Sequence, residues 1–469
     1  MGSNYPFPCS SNGRQSWQAI LDGALREQAL ETVRTIAASL GSLPLEFASL
    51  DIGAAGLAVC LAYCAEGLAE PRYEAAAQGL LDQALTMAEA APILPWLYHG
   101  LAGIGWAASH LSTRLRWPDL EGPLAEIDGC VRDCLDKPVW LEDGHLGGGL
   151  AGLGVYALER MRVSRPGSVK GVNGIGVPPS GSSMPQLESG TANLVMECLE
   201  GVVDHLVATA RRTPEGATWW RDPERMSLSA RKKMPDGAYD LGMRHGVAGI
   251  TAFLARACAA GVAVDRTRPL LHEAVGWLLA QEAPGGPPQG FPYAIRPNRP
   301  QRNWTRLSWA YGDPGMAAAL LGAARCVGEP AWEGRALAAA LRATTRPPER
   351  TRIFDACLSV GAAGLGHLFN RLYQATGELR LAEAARFWFE RTLAMRRPGH
   401  GVAGYAAWVR DDDDVEYWWD TPGVLVGAAG IALALLSAAT PLEPCWDRMM
   451  LVDIPPARAE KKDAALVTN

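Results

Sequence analysis

The chain has 469 residues, 48% of them hydrophobic, and its 44 Lys and Arg against 50 Asp and Glu leave a formal net charge of −6. That balance fits an ordinary globular core and carries no basic footprint for nucleic acid. Its apolar runs are too short and too punctuated by glycine to span a membrane, and its ten scattered cysteines, with no cationic and apolar leader ahead of them, point to a reduced cytosolic protein.

In chain order, residues 1–50 read as N-terminal outer helices, and a repeat then begins. A Gly-x-x-Gly element recurs seven times, at Gly53/Gly56, Gly100/Gly103, Gly149/Gly152, Gly246/Gly249, Gly312/Gly315, Gly361/Gly364 and Gly427/Gly430. Self-similarity spread over most of a chain argues for one closed unit rather than several domains. Glycine is costly inside a helix and permissive just before one, so each pair predicts a turn entering a helix with close backbone approach to a neighbour. The runs that follow are rich in small apolar residues, as in Met316–Gly322 and Ile431–Ser437, and a helix apolar on most sides is buried on most sides.

Between those runs lie segments with one charged face, such as Ala331–Leu341 and Glu383–Arg391. Strand-like alternation is scarce. The pattern predicts an all-α fold, an α/α toroid of seven inner and seven outer helices over residues 51–440. Loops rich in Ser, Gly and Pro interrupt it near 162–190 and 284–303, and both are expected at the rim, where a large substrate is gripped. His400–Gly404 copies the fourth turn but precedes no small-residue helix, so it reads as a loop echo. The acidic run Asp411–Asp414 stands ahead of Tyr417, Trp418 and Trp419, and residues 441–469 read as a tail, frayed from Asp453.

The glycine turns together with Leu241–Gly249, Arg306–Gly315, Leu358–Gly364 and Pro422–Ala432 resemble the lanthionine synthetase C-like (LanC) cyclases over roughly residues 50–440. The resemblance implies an α/α barrel in which zinc activates a peptide cysteine. The thiol adds across dehydroalanine or dehydrobutyrine and closes a thioether ring in a ribosomal peptide. The family's zinc ligands fall at Ala310, Ser359 and Val360, none of which offers thiolate, imidazole or carboxylate. No metal is therefore expected there, nor any other cofactor. Cys357, His367 and His99 are the donors from which a displaced site would have to be assembled.

By the same resemblance His245 takes the slot of the family's general acid, and Arg306 and Tyr311 those of its active-site Arg and Tyr. His145 stands where the family has an Asp, with Asp143 two positions away. Trp309, Asp313, Trp418 and Trp419 are the candidates for holding the peptide. A free thiol with pKa about 8.5 is a few per cent thiolate at neutral pH, so cyclisation without zinc is chemically feasible. Arg306 and the imidazoles would favour the thiolate while an imidazolium protonates the enolate carbon.

The expected function is a zinc-independent thioether cyclase working on a ribosomal precursor peptide, with a separate dehydratase or kinase/lyase partner. The alternative is an inactive scaffold that presents the peptide to modifying enzymes. A glycosidase would need paired cleft carboxylates, and Asp313, Asp355 and Asp420 suggest no such pair. Cys60 and Cys64, four apart on an inner helix, read as small buried hydrophobes.

Overall fold

Residues 17–455 are described by the computed structural model, apart from 42, 44, 113, 115–119, 138–143, 164–188, 284–289, 297–304, 412 and 414. The helices are α1 (Gly23–Leu40), α2 (Ala54–Leu68), α3 (Arg72–Ala90), α4 (Leu101–Ser112), α5 (Glu121–Leu135), α6 (Leu150–Val163), α7 (Ser189–Thr209), α8 (Leu228–Lys233), α9 (Val247–Ala260), α10 (Val264–Ala280), α11 (Asp313–Val327), α12 (Pro330–Thr344), α13 (Ala362–Thr376), α14 (Leu379–Ala394) and α15 (Ala428–Ala439).

The helices that follow the glycine turns, α2, α4, α6, α9, α11, α13 and α15, touch one another in that order, and α15 touches α2. This closes the ring of seven. Their composition explains their position: every residue of α11 and of α15 is buried. The outer helices bury one stripe only, as α12 does with Ala336, Ala339, Ala340 and Ala343. Each outer helix packs behind the inner helix it follows, except that α1 packs behind α15. There Trp17 Nε1–H donates to the Ser437 carbonyl (2.8 Å), and the amides of Ile20 and Leu21 both donate to Ala438 (2.8 and 3.0 Å).

The second glycine of each pair has one physical reason. A Cβ there would lie between 1.6 Å (Gly364, against Leu358 O) and 2.6 Å (Gly152, against Leu146 O) from the carbonyl six residues earlier, and the same clash recurs in all seven turns. The turns also bond to each other. The amide of Asp51 donates to Tyr98, Gly147 to Arg244, Met243 to Ala310, Ala310 to Ser359, Ser359 to Leu425, and Val424 back to Asp51. The turn end of the barrel is thus bordered by bonded backbone, and its shape depends little on side-chain identity. Gly364→Ala is expected to lower the unfolding free energy by about 3 kcal/mol, because a backbone carbonyl cannot yield as a side chain does; a denaturation midpoint equal to wild type would refute this.

Inner-to-outer connections are short. Gly261, Gly328 and Gly377 end α9, α11 and α13 in the left-handed conformation, for which glycine carries no Cβ penalty. The outer-to-inner connections are longer and hold three antiparallel pairs: β1 (Arg211–Thr213) with β2 (Gly216–Thr218), β3 (Tyr239–Asp240) with β4 (Ala294–Ile295), and β5 (Ala407–Arg410) with β6 (Glu416–Trp419). The interruption near 162–190 joins the far end of α6 to α7, so its anchors lie at the end of the barrel opposite the turns; residues 164–188 themselves lie outside the described set. His400–Gly404 is a tight turn closed by the Val402–Tyr405 bridge, not an eighth repeat.

The described part of the C-terminal segment, up to residue 455, packs into the barrel. Cys445–Met450 forms a 3₁₀ turn, and Trp446, Asp447, Met449, Met450, Leu451 and Val452 are fully buried. Asp447 accepts from Arg371 Nε (2.6 Å) and pairs with His367 Nε2 (2.9 Å), both on α13. Arg448 pairs with Glu159 of α6 (2.6 Å), and Arg256 of α9 with Asp453 (2.7 Å). Tyr98 Oη–H and Trp309 Nε1–H donate to the carbonyls of Met449 and Met450. The segment is a plug that fills the barrel at the end away from the turns.

Candidate functional site

A plugged barrel has one open mouth, and the residues that matter there sit in the turns. His145 and His245 come from adjacent turns, tied by the bond from Gly147 N–H to Arg244 O (2.7 Å). Their rings meet edge to face at 4.7 Å. The amide of Gly148 donates to His145 Nδ1 (3.1 Å), so that nitrogen carries no proton and the tautomer is set by the backbone. His245 Nδ1 is buried without a hydrogen-bond partner. Burial pushes the His245 pKa well below the ordinary imidazole range, and the nearby His145, Arg221 and Arg244 push the same way. His245 is therefore neutral at physiological pH. Gly144, His145, Trp219, Trp220, Arg221, His245, Val247 and Ile250 line one hollow beside this pair.

Asp240 adjoins that hollow through Arg221. Its Oδ1 accepts from Gly242 N–H (2.7 Å) and its Oδ2 from Arg221 (3.1 Å). Burial raises its pKa, with Arg221 acting in opposition. Tyr311 of the next turn packs against Tyr293 at 4.4 Å. Burial, with Tyr293 and Asp240 nearby, drives the Tyr311 pKa well above the phenol range, so its hydroxyl keeps its proton. Arg306 lies over the ring of Phe354 at 5.2 Å, facing the sixth turn. Burial lowers its pKa, yet guanidinium remains charged at neutral pH. The structure thus brings His145, His245 and Tyr311 together around Asp240, with Arg306 on the far side of the fifth turn.

Ala310 and Ser359 are neighbours, joined by the amide of Ala310 and the carbonyl of Ser359 (3.3 Å). Together with Val360 they present a methyl, a hydroxyl and an isopropyl group. Cys357 Sγ lies 4.0 Å from Ser359 Oγ, and burial together with Asp355 pushes its pKa well above the thiol range. His367 of α13 faces the plug, where it stacks on Trp446 at 4.7 Å, and His99 Nε2 meets Arg244 at 3.1 Å beside Asp51. Among the described residues no three His, Cys, Asp or Glu side chains converge as a metal would require. These residues do not fit zinc, whose structural and catalytic sites take at least three such ligands.

The four candidates for gripping peptide divide. Trp309 is wholly enclosed and bonded to the plug, and Asp313 is buried and held by Arg342 at 2.9 and 3.1 Å, so both serve packing. Trp418 is 47% exposed on β6, its ring tilted against Trp408 at 5.0 Å, with the half-buried Trp419 beside it. Asp355 accepts from Cys357 and Trp408 amides, which accounts for its burial without a glycosidase-like partner. Asp143 lies outside the described residues.

Asp240 and Arg221 escaped the sequence reading, although a signal existed for the first. Asp240, Asp355 and Thr421 each stand six residues before a first glycine, and each accepts with its side chain from the amide two residues on. This is the local turn that Asp and Thr side chains favour.

The family model described as lanthionine synthetase C-like protein matches residues 47–451. Among solved structures, nisin cyclase is similar, with a TM-score of 0.68 at 16% sequence identity, covering 90% of this chain and 97% of that one. No curated protein sequence matches the chain.

Proposed function

Since this chain belongs to the lanthionine synthetase C-like family, we propose that it closes thioether rings in a ribosomal precursor peptide without zinc, downstream of a separate dehydratase or kinase/lyase partner. The observation that carries this reading is the neutral, buried imidazole of His245 edge-on to His145 at the mouth of a plugged barrel.

The imidazolium expected at the outset is replaced by a neutral ring, and the chemistry follows from that. A ring nitrogen of His245 takes the proton from the peptide thiol as sulfur attacks Cβ of the dehydro residue. A carbon–sulfur bond forms, the Cα–Cβ π pair moves into the carbonyl, and the resulting imidazolium returns its proton to Cα. Atoms, charge and electrons balance with no oxidant or metal. The Tyr311 hydroxyl, kept protonated, and the Arg306 guanidinium are the groups suited to hold the enolate oxygen. His145, with its tautomer set by Gly148, orients His245.

Phe47, Leu94, Phe354, Tyr417 and Trp418 are large apolar side chains left exposed in segments leading into the turns, which suits a mouth that grips a peptide. The nine described cysteines are all unbridged, in keeping with a reducing compartment.

The second reading, a scaffold that binds the peptide but leaves it unchanged, is favoured by the missing zinc donors at Ala310, Ser359 and Val360. One experiment separates the two. A dehydrated peptide bearing cysteine is incubated with and without the protein, free thiols are counted by alkylation and mass spectrometry, and bound zinc is measured by elemental analysis. Thiols consumed with no metal present support the cyclase; peptide bound with thiols untouched supports the scaffold; stoichiometric zinc overturns the ligand argument.

A further inference from the structure

The segment between β2 and β3 is built as a body of its own. The amide of Arg221 donates to the Ala238 carbonyl (2.9 Å) and the amide of Ala238 donates back to Arg221 (3.3 Å), so residues 222–237 leave and re-enter the fold through one neck. That is an Ω-loop, a compact loop with adjacent ends. Its interior is a small hydrophobic cluster of Met226, Met234, Ala238 and Ala294, backed by Ala230 and Tyr293, and separate from the barrel core. Asp222 caps a 3₁₀ turn at Pro223–Arg225, and Ser227 caps α8, so the loop is internally ordered. At the neck Gly237 has φ +79°, and a Cβ there would strike Trp220 at 2.2 Å, so the exit requires glycine.

Both ends of this body touch the mouth. At the neck, Arg221 pairs with Asp240 (3.1 Å) and lines the hollow of His145 and His245. From its interior, Tyr293 reaches the ring of Tyr311 at 4.4 Å. At its tip, Lys232 Nζ lies 3.8 Å from Asp413 in the β5–β6 hairpin, which leads into the seventh turn, whereas the loop leads into the fourth. Two segments that enter separate turns of the ring therefore meet.

We infer that residues 222–237 are a strap over the barrel mouth, latched to the β5–β6 hairpin by Lys232 and Asp413, which opens to admit a peptide and closes over it beside Tyr311 and His245. This rests on the peptide-handling reading above. An exposed ion pair contributes little, which suits a latch that must part. The separate cluster lets the loop move as a unit without opening the main core, and the shared contact of Tyr293 couples its position to Tyr311.

Hydrogen exchange of the full-length protein, read by mass spectrometry, tests the latch without any substrate. Amides of 222–238 should exchange together, and Lys232→Glu should accelerate them about two- to fivefold, while the double reversal Lys232→Glu/Asp413→Lys restores the wild-type rate. A single reversal that leaves the rate unchanged, or a double reversal that fails to restore it, overturns the latch. Adding a synthetic peptide with one dehydroalanine and one cysteine should slow exchange in the same segment. Peptide that binds without slowing it overturns the closing step, whereas peptide that does not bind sinks the peptide-handling reading and the strap's substrate with it.

Discussion

His245→Asn is expected to reduce ring formation by about 10²- to 10⁴-fold, the usual span of a lost general acid–base group. Its unfolding midpoint should match wild type, because His245 Nδ1 makes no hydrogen bond that asparagine would break. The pH dependence is the more discriminating readout. Burial holds His245 below the ordinary imidazole range, so the ring stays neutral and able to accept a proton through pH 7 and somewhat below. With His245 as base and the thiol protonated, the wild-type rate is level between the acid limb of His245 and the thiol value of about 8.5. Without the base, only thiolate formed in bulk water reacts, and the rate of His245→Asn rises about tenfold per pH unit toward that value. A wild-type profile with the same slope as the variant would remove His245 from the proton path.

Asp447→Ala is expected to lose about 3–5 kcal/mol of stability, the range for breaking a buried ion pair by removing one partner. Burial opposes the charge on Asp447, yet Arg371 and His367 overcome it and hold its carboxyl below the usual range. With the carboxylate gone, the Arg371 guanidinium keeps only the Pro444 carbonyl at 3.2 Å and Glu443 at 3.8 Å inside the plug. Because a typical domain is stable by about 5–15 kcal/mol, such a loss brings the protein close to its threshold. Asp447→Asn, which keeps an acceptor for both partners, should lose less. Replacing Asp447 by Leu together with Arg371 by Met should recover part of the loss, since a well-packed apolar pair needs no compensation. Chemical denaturation of the variants checks the order; Asp447→Ala unfolding with wild type would show that the plug contributes no stability.

The ring was legible because its cause is local and repeats. A carbonyl six residues back forbids a side chain at the second glycine, so the pattern survives in every turn and counts the inner helices directly. His245, Arg306 and Tyr311 could be placed in the turns through the family resemblance, each standing within six residues of a first glycine. The plug was not. Asp447 and Arg448 look like surface charges until partners 80 and 289 residues away are known. Trp309 and Asp313 misled for the same reason, since burial is decided by the plug and by Arg342, neither adjacent in the chain. The strap is a third case, because its small core draws Ala294 and Tyr293 from beyond α10.

The pairing of α1 with α15 sets a timetable for synthesis. Trp17 and its acceptor Ser437 are 420 residues apart, so at translation rates of about 5–20 residues per second the first helix emerges roughly 20–80 s before its partner exists. Throughout that interval the apolar stripe of Ala29, Val33, Ile36 and Leu40 has α2 beside it but lacks its main native cover, and the nascent chain must be shielded from its neighbours on the polysome until the last small-residue helix has left the ribosome.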